Sequence, residues 1–236
     1  MEAFERTIRL IGKEGFTALQ SSHFAVVGVG GVGSFAAEAL ARTGAGALTL
    51  VDADVIDVTN INRQIHATRA TVGLPKVDVM RERVLSINPG CRVQALHLRY
   101  HAQAGLYLKQ FDYVLDCIDS VSDKEALIMD CLEAGVRVIS SMGAGNRVDP
   151  SAFRVTDIYR TTGDPLARVM RIRLRKRGVR ALKVVCSLEP PQKTHIEGGH
   201  RRFAASAVFA TSVAGMLMAS EAILDIAVRP GKEDET

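Results

Sequence analysis

No two of the four cysteines stand in a CxxC pair. Cys91, Cys117, Cys131 and Cys186 are widely spaced, and this argues against a structural zinc, whose ligands normally come in close pairs. The opening stretch "MEAFERTIRLIGKEG" carries no secretory signal, so the thiols fit a reduced, cytoplasmic chain. Low-complexity tracts, Pro- or Gly-rich linkers and convincing repeats are also missing, which leaves no seam at which to divide the chain. Residues 1–236 are therefore expected to form a single domain, long enough to bury a full core, with a loose acidic tail "GKEDET".

Two stretches lack charge of one or both signs. Residues 203–220, "FAASAVFATSVAGMLMAS", contain no charge at all. Their length would allow a membrane span, but Ala, Ser, Thr and Gly dominate, and Glu221 and Asp225 follow at once. Small side chains suit a helix pressed against protein, so a buried or dimer-interface helix is expected rather than a span. Residues 168–183, "RVMRIRLRKRGVRALK", lack acids and hold eight Lys/Arg. With 30 basic and 26 acidic residues in total, the remainder carries 22 against 26, or −4. All of the positive excess sits in this one segment, which points to an anionic partner there.

What is present is a strand–helix alternation. "FAVVGV", "ALTLVD", "RVQALHL", "DYVLDCI" and "RVISS" read as strands. "SFAAEALART", "KVDVMRERVLSI" after Pro75, and "KEALIMDCLEAG" read as the helices between them. "FRVTDI" and "KVVCS" follow as further strands around the basic helix. The pattern predicts an α/β fold with a doubly wound, mainly parallel sheet. Its Rossmann-like nucleotide-binding half spans about residues 22–145, and additional strands and a helix follow.

In such a sheet, ligands bind beyond the carboxyl ends of the strands, where this chain carries Gly28-x-Gly30-Gly31-x-Gly33, Asp52, Asp119 and Gly143–Gly145. The glycines let backbone N–H groups approach a phosphate at a helix N-terminus. Asp52 is spaced to accept hydrogen bonds from ribose hydroxyls. To this point NAD and ATP are equally served. Arg63 and Lys76 break the tie, because the extra phosphates of ATP call for discrete cations. Asp119 can hold Mg2+ on a triphosphate, whereas a further carboxylate beside a dinucleotide pyrophosphate would repel it.

Four motifs now stand in order: GxGGxGS at 28–34, DxDxxxxxNxxRQ from Asp52 to Gln64, "GLPK" ending at Lys76, and "DCIDS" at 116–120. Together they resemble the ubiquitin-activating-like adenylating enzymes. The resemblance implies ATP and Mg2+ as cofactors. It puts Gly28, Gly30, Gly31, Gly33, Asp52, Asp54, Asn60, Arg63, Gln64 and Lys76 on the nucleotide, with Asp119 on the metal. It also implies a homodimer in which an N-terminal arginine, Arg6 or else Arg9, reaches across to the γ-phosphate of the other subunit. Read without the resemblance, Arg6 and Arg9 are equally well solvated helix charges. Asp116 reads as structural, His66 as a packed turn residue, and Cys117, Cys131 and Cys186 as core thiols.

The runs "SMGAGNRVDPSAFRVTDIYRTTGDPLARVMRIRLRK" and "AGMLMASEAI" resemble the tRNA threonylcarbamoyladenosine dehydratase branch of that family. This implies ATP-dependent cyclisation of a modified adenosine in tRNA, with the basic segment meeting tRNA phosphates. A sulfur-relay or cysteine desulfurase partner is implied as well. The alternative within the family is adenylation of the C-terminal glycine of a small ubiquitin-like sulfur carrier.

Overall fold

The computed structural model describes residues 2–101, 105–193 and 204–229. The chain opens with α1 (Glu5–Ser21) and then alternates through β1 (His23–Val27), α2 (Gly33–Thr43), β2 (Ala47–Val51), α3 (Lys76–Ile87) and β3 (Arg92–Leu96). The second half runs β4 (Tyr113–Asp116), α4 (Val121–Ala134), β5 (Arg137–Ser141), β6 (Phe153–Asp157), α5 (Pro165–Lys176), β7 (Lys183–Ser187) and α6 (Val208–Ala227). The strands form one sheet in the order β3-β2-β1-β4-β5-β7-β6. All neighbours are parallel except β6, which runs antiparallel to β7 at the edge. The expected tail at 231–236 lies outside the described residues.

Successive side chains on a strand point to opposite faces, and that alternation divides the core in two. Phe24, Val26, Leu48, Leu50, Tyr113, Leu115 and Ile139 face α1, α2, α3 and α6. Ala25, Val27, Val114 and Val138 face α4 and α5. Both faces are covered, so β1, β2 and β4 are apolar runs rather than alternating ones. β3, at the other edge, is only partly buried.

The structure sets the bounds of three elements. The N-terminal segment is a full helix, α1, interrupted at Gly12, where φ is +79°. The basic helix starts at Pro165, capped by Asp164 Oδ1, which accepts from Ala167 N at 2.7 Å, and ends at Lys176. Lys183 starts β7, as the strand reading of "KVVCS" expected, and its Nζ lies 2.7 Å from Asp225 Oδ2. The small-residue helix begins at Val208 and runs through Glu221 and Asp225. It buries Ala210, Ala214, Gly215, Met218, Ala219 and Ala222. A β-carbon at Gly215 would lie 2.3 Å from the Val32 carbonyl, which is why a small residue is required. By length and composition α6 could cross a membrane, but here its small face is packed on α2.

Candidate nucleotide-binding site

The carboxyl ends of β1, β2, β4 and β5 open onto a cleft of about 670 Å3, within the range of small-molecule sites. Its floor is the β1–α2 loop. Gly28 has φ +91°, and a β-carbon there would lie 2.7 Å from the Cys117 carbonyl, so only glycine fits. At Gly30 a β-carbon would meet nothing within 4 Å: the backbone faces open cleft, as a phosphate cradle requires. Gly33 does not line the cleft. A β-carbon on it would collide with the Gly28 carbonyl at 1.8 Å, so Gly33 closes the loop from behind.

Asp52, at the end of β2, ties this loop to the next one. Its Oδ2 accepts from Val29 N at 2.6 Å and its Oδ1 from Asp54 N at 2.8 Å. Burial raises its pKa, against the opposing effects of Lys76 and the two backbone donors. The carboxylate is held rigidly at the cleft edge.

The cationic side follows. Asn60 is buried in a 3-10 turn, its Oδ1 accepting from Asp57 N at 3.1 Å. Arg63 donates from Nη1 to the Thr59 carbonyl at 2.8 Å and to Asn62 Oδ1 at 3.0 Å. The carbonyl Oε1 of buried Gln64 has no hydrogen-bond partner among the described residues. Lys76 starts α3 with its side chain 7% exposed, its Nζ 2.6 Å from Asp54 Oδ2 and 4.0 Å from Asp52 Oδ1. Asp119 lines the opposite wall and is exposed.

Of the sequence-predicted residues, Gly28, Gly30, Gly31, Asp52, Asp54, Asn60, Arg63, Gln64, Lys76 and Asp119 thus share one cleft. Arg6 does not: it sits exposed on α1 and does not line the cleft of its own chain. Arg9 is likewise exposed and pairs with Glu5 at 2.5 Å. Leu98, Arg99, Tyr100 and Asp123 also line the cleft and were not singled out in the sequence. They follow β3 or open α4, positions that the strand-end rule marks but no short motif does. Arg99 donates to Asp123 Oδ2 at 2.8 Å.

Below Asp119 lies a buried polar cluster. Asp116 Oδ2 accepts from Lys124 Nζ at 2.8 Å and from Ser140 Oγ at 2.6 Å, while its Oδ1 accepts from Ile118 N at 3.1 Å. Both ionic side chains are fully buried. Asp116 is structural, and it shapes the turn that carries Asp119.

His66 lies outside the cleft, buried, with neither ring nitrogen partnered among the described residues. Burial, with Lys76 and Arg83 adding to it, lowers its pKa to about 4. The folded value is below the unfolded one, so the stability that depends on neutral His66 is complete above about pH 6.5. It is lost as the pH falls towards 4. The stability advantage of wild type over His66→Leu should shrink by about 1–3 kcal/mol between about pH 7 and pH 4.5. Urea denaturation of both proteins at the two pH values checks this, and a constant difference would contradict it.

The four thiols are buried or face the protein. Burial pushes Cys91 and Cys186 up to about 11, and raises Cys117 and Cys131 further. Cys117 Sγ points at Met218 Sδ, 3.8 Å away. None is placed as a nucleophile.

The sequence matches the ThiF family profile over residues 4–232. The chain belongs to the ThiF family. A tRNA threonylcarbamoyladenosine dehydratase of Bacillus subtilis is 43% identical over 96% of this chain and 95% of its own length. Among solved structures, this chain is similar to a crystal structure of E. coli tRNA N6-threonylcarbamoyladenosine dehydratase in complex with AMP. The TM-score is 0.90 at 39% identity, covering 97% of this chain and 95% of the other. The same E. coli enzyme in complex with ATP matches at a TM-score of 0.85 and 38% identity, with the same coverage. The expected fold and family are both found.

Proposed function

We propose that this ThiF-family protein is an ATP-dependent adenylating enzyme that dehydrates N6-threonylcarbamoyladenosine in tRNA. The observation that carries the reading is the convergence of the glycine cradle, Asp52, Arg63, Lys76 and Asp119 on one cleft. Similarity along nearly the full length to the B. subtilis dehydratase, and to the E. coli dehydratase solved with AMP and with ATP, supports it. The one continuous sheet supports a single adenylation domain over residues 1–236.

In this reading the threonine carboxylate attacks the α-phosphorus of ATP. The bond to the bridging oxygen breaks, and pyrophosphate departs with the electron pair. A nitrogen of the same modification then attacks the activated carbonyl, loses its proton, and AMP leaves with one former carboxylate oxygen. Because the nucleophile is already attached to the substrate, no enzyme cysteine is needed, and proximity supplies much of the rate. That agrees with four inert thiols. Asp52 holds the ribose. The amides around Gly30 and Gly31, with Asn60 and Gln64, hold the phosphates. Arg63 and Lys76 stabilise the charge that spreads onto them. Substrate carboxylate labelled with 18O should place one label in AMP. Label found only in the cyclised nucleoside or in water would overturn this order of steps.

Mg2+ fits the donor set. It usually takes one or two carboxylates together with phosphate oxygens and waters, and Asp119 offers an exposed carboxylate facing the cleft. Among the described residues no three acidic, His or Cys groups gather as a self-sufficient metal site, so the ion would arrive with the nucleotide. When bound it would neutralise charge on the leaving pyrophosphate.

A second copy of the chain would supply Arg6, whose exposure on α1 leaves it free to reach another subunit's cleft. Arg6→Ala should then be rescued in mixed dimers with Lys76→Ala. A cysteine desulfurase or other sulfur-relay partner would find no exposed thiol among the described residues, so contact with it would not run through a cysteine of this surface. A tRNA substrate and cysteines that are free among the described residues support a cytoplasmic reaction. The sulfur-carrier alternative is not favoured by any observation here.

The basic segment divides in the fold. Arg171 donates to Thr161 and Lys183 pairs with Asp225. Arg173 and Arg177 share Glu125, and Arg175 lies 5.1 Å over the Tyr159 ring. Arg168, Lys176 and Arg180 are exposed. α5 starts beside the cleft, which Leu166 lines, and its twelve residues carry charge outward for about 18 Å. This is a surface suited to a phosphate backbone. Replacing Arg168, Lys176 and Arg180 together by alanine should weaken tRNA binding about tenfold at physiological salt. It should also flatten the plot of log affinity against log salt by about two to three, with kcat at saturating tRNA unchanged. Equal salt slopes for the two proteins would remove α5 from the interface.

A further inference from the structure

Asn146 is the one non-glycine residue in the left-handed region among those described, at φ +57°. Asparagine tolerates this conformation better than most residues, because its short side chain can bond locally. Here the bonds reach far along the sequence. Asn146 N donates to the Ala205 carbonyl at 2.6 Å, and Asn146 Oδ1 accepts from Ala205 N at 2.7 Å. The Asn146 carbonyl accepts from Gln192 N at 2.8 Å. One residue thereby fastens two distant strands of backbone to the end of the Gly143–Gly145 wall.

The segment held in this way borders the nucleotide. Ala204 and Ser206 line the cleft. The Ser206 carbonyl accepts from Asn62 Nδ2 at 2.8 Å, and Asn62 Oδ1 accepts from Arg63 Nη1 at 3.0 Å. Asn62 uses both ends of its amide, one on the segment and one on the guanidinium. Hydrogen bonds from Asn146 to Ala205, the Ala205–Ser206 peptide link, and hydrogen bonds from Ser206 to Asn62 and from Asn62 to Arg63 therefore form one connected path, which crosses from the β5 side of the cleft to the cationic side.

We propose that Asn146 and Asn62 are positioning residues that aim Arg63 at the reacting phosphates. Without the relay, Arg63 keeps its bond to the Thr59 carbonyl but loses the partner that fixes the plane of its guanidinium. A planar fork must be oriented to match phosphate oxygens, and small displacements of an orienting group cost rate far more than they cost binding. The proposal rests on the adenylation reading given above.

Two substitutions separate the relay from backbone strain. Asn146→Gly keeps the left-handed conformation and removes the Oδ1 acceptor. Asn146→Asp keeps an acceptor at the same place and tolerates the same φ. With tRNA substrate and ATP, Asn146→Gly should lower kcat for AMP release about tenfold, with the Kd for AMP within about twofold of wild type. Asn146→Asp should stay within about threefold of wild-type kcat. In ligand-free protein, amide exchange at Ala205 should quicken in Asn146→Gly alone, and the Arg63 side-chain N–H resonances should broaden with it. Unchanged kcat in Asn146→Gly, or an equal loss in both variants, would overturn the proposal. Wild type that releases no AMP would instead count against the adenylation reading, and the exchange and resonance measurements would still decide the relay. Unchanged Ala205 exchange and Arg63 resonances in Asn146→Gly would overturn it there too.

Discussion

Lys76→Ala should lower ATP-dependent AMP release by two to three orders of magnitude while the protein stays folded. Both halves of that result follow from exposure. The Lys76 side chain is 7% exposed, whereas Asp54, which binds it at 2.6 Å, is 70% exposed. Removing the ammonium returns Asp54 to water and leaves the partly buried Asp52 carboxylate, 4.0 Å from Nζ, with its two backbone donors from Val29 N and Asp54 N, so the loss in stability should stay moderate, about 1–2 kcal/mol. The chemistry has no such compensation. Lys76 is the first residue of α3, where the helix N-terminus also favours anions. A preorganised cation of this kind contributes most where charge develops in the transition state. AMP release by quenched assay, with thermal unfolding run beside it, checks both halves. Near-normal turnover would contradict the role assigned to Lys76, and collapse of the fold would contradict the account of Asp54.

Asp119→Ala should lower turnover about a hundredfold and raise the Mg2+ concentration needed for half-maximal rate. Asp119 is exposed in the cleft, so its removal costs little stability. Its buried neighbour Asp116 cannot substitute, because both of its oxygens are already committed to Lys124, Ser140 and Ile118 N. A Mg2+ titration of the initial rate for wild type and Asp119→Ala is the measurement. An unchanged Mg2+ midpoint would mean that the metal is held elsewhere.

The same pair of aspartates shows what the sequence reveals and what it hides. "DCIDS" marks both residues, and their different fates follow from position: Asp116 ends a buried strand and Asp119 lies three residues into the turn. Lys124 was not legible, because a lysine early in a helix reads as solvated. Only the sheet register, which pairs Asp116 with Ser140, shows that a cation is needed beneath them. β1, β2 and β4 were legible as apolar runs because both faces of the parallel sheet are covered. For α1 only helical charges at Arg6 and Arg9 were legible and not its extent, since its apolar positions are sparse and Gly12 interrupts it.

Within the site, the motif residues were legible because each answers a local demand: a glycine with its backbone open to the cleft, a carboxylate at a strand end, a cation at a helix start. Leu98, Tyr100, Asn62 and Asn146 act through contacts between segments far apart in sequence, and no local pattern records them. Arg6 belongs to a different case. Its proposed role depends on a second copy of the chain, so its exposure on α1 is the whole of what one chain can contribute.

The central claim is that ATP is used to activate a carboxylate on tRNA. Its most direct test is mass spectrometry of nucleosides from tRNA bearing N6-threonylcarbamoyladenosine, incubated with the protein, ATP and Mg2+. This nucleoside should lose one water as AMP appears in equal amount, and neither change should occur without ATP. An unchanged nucleoside, or dehydration with no AMP formed, would contradict it.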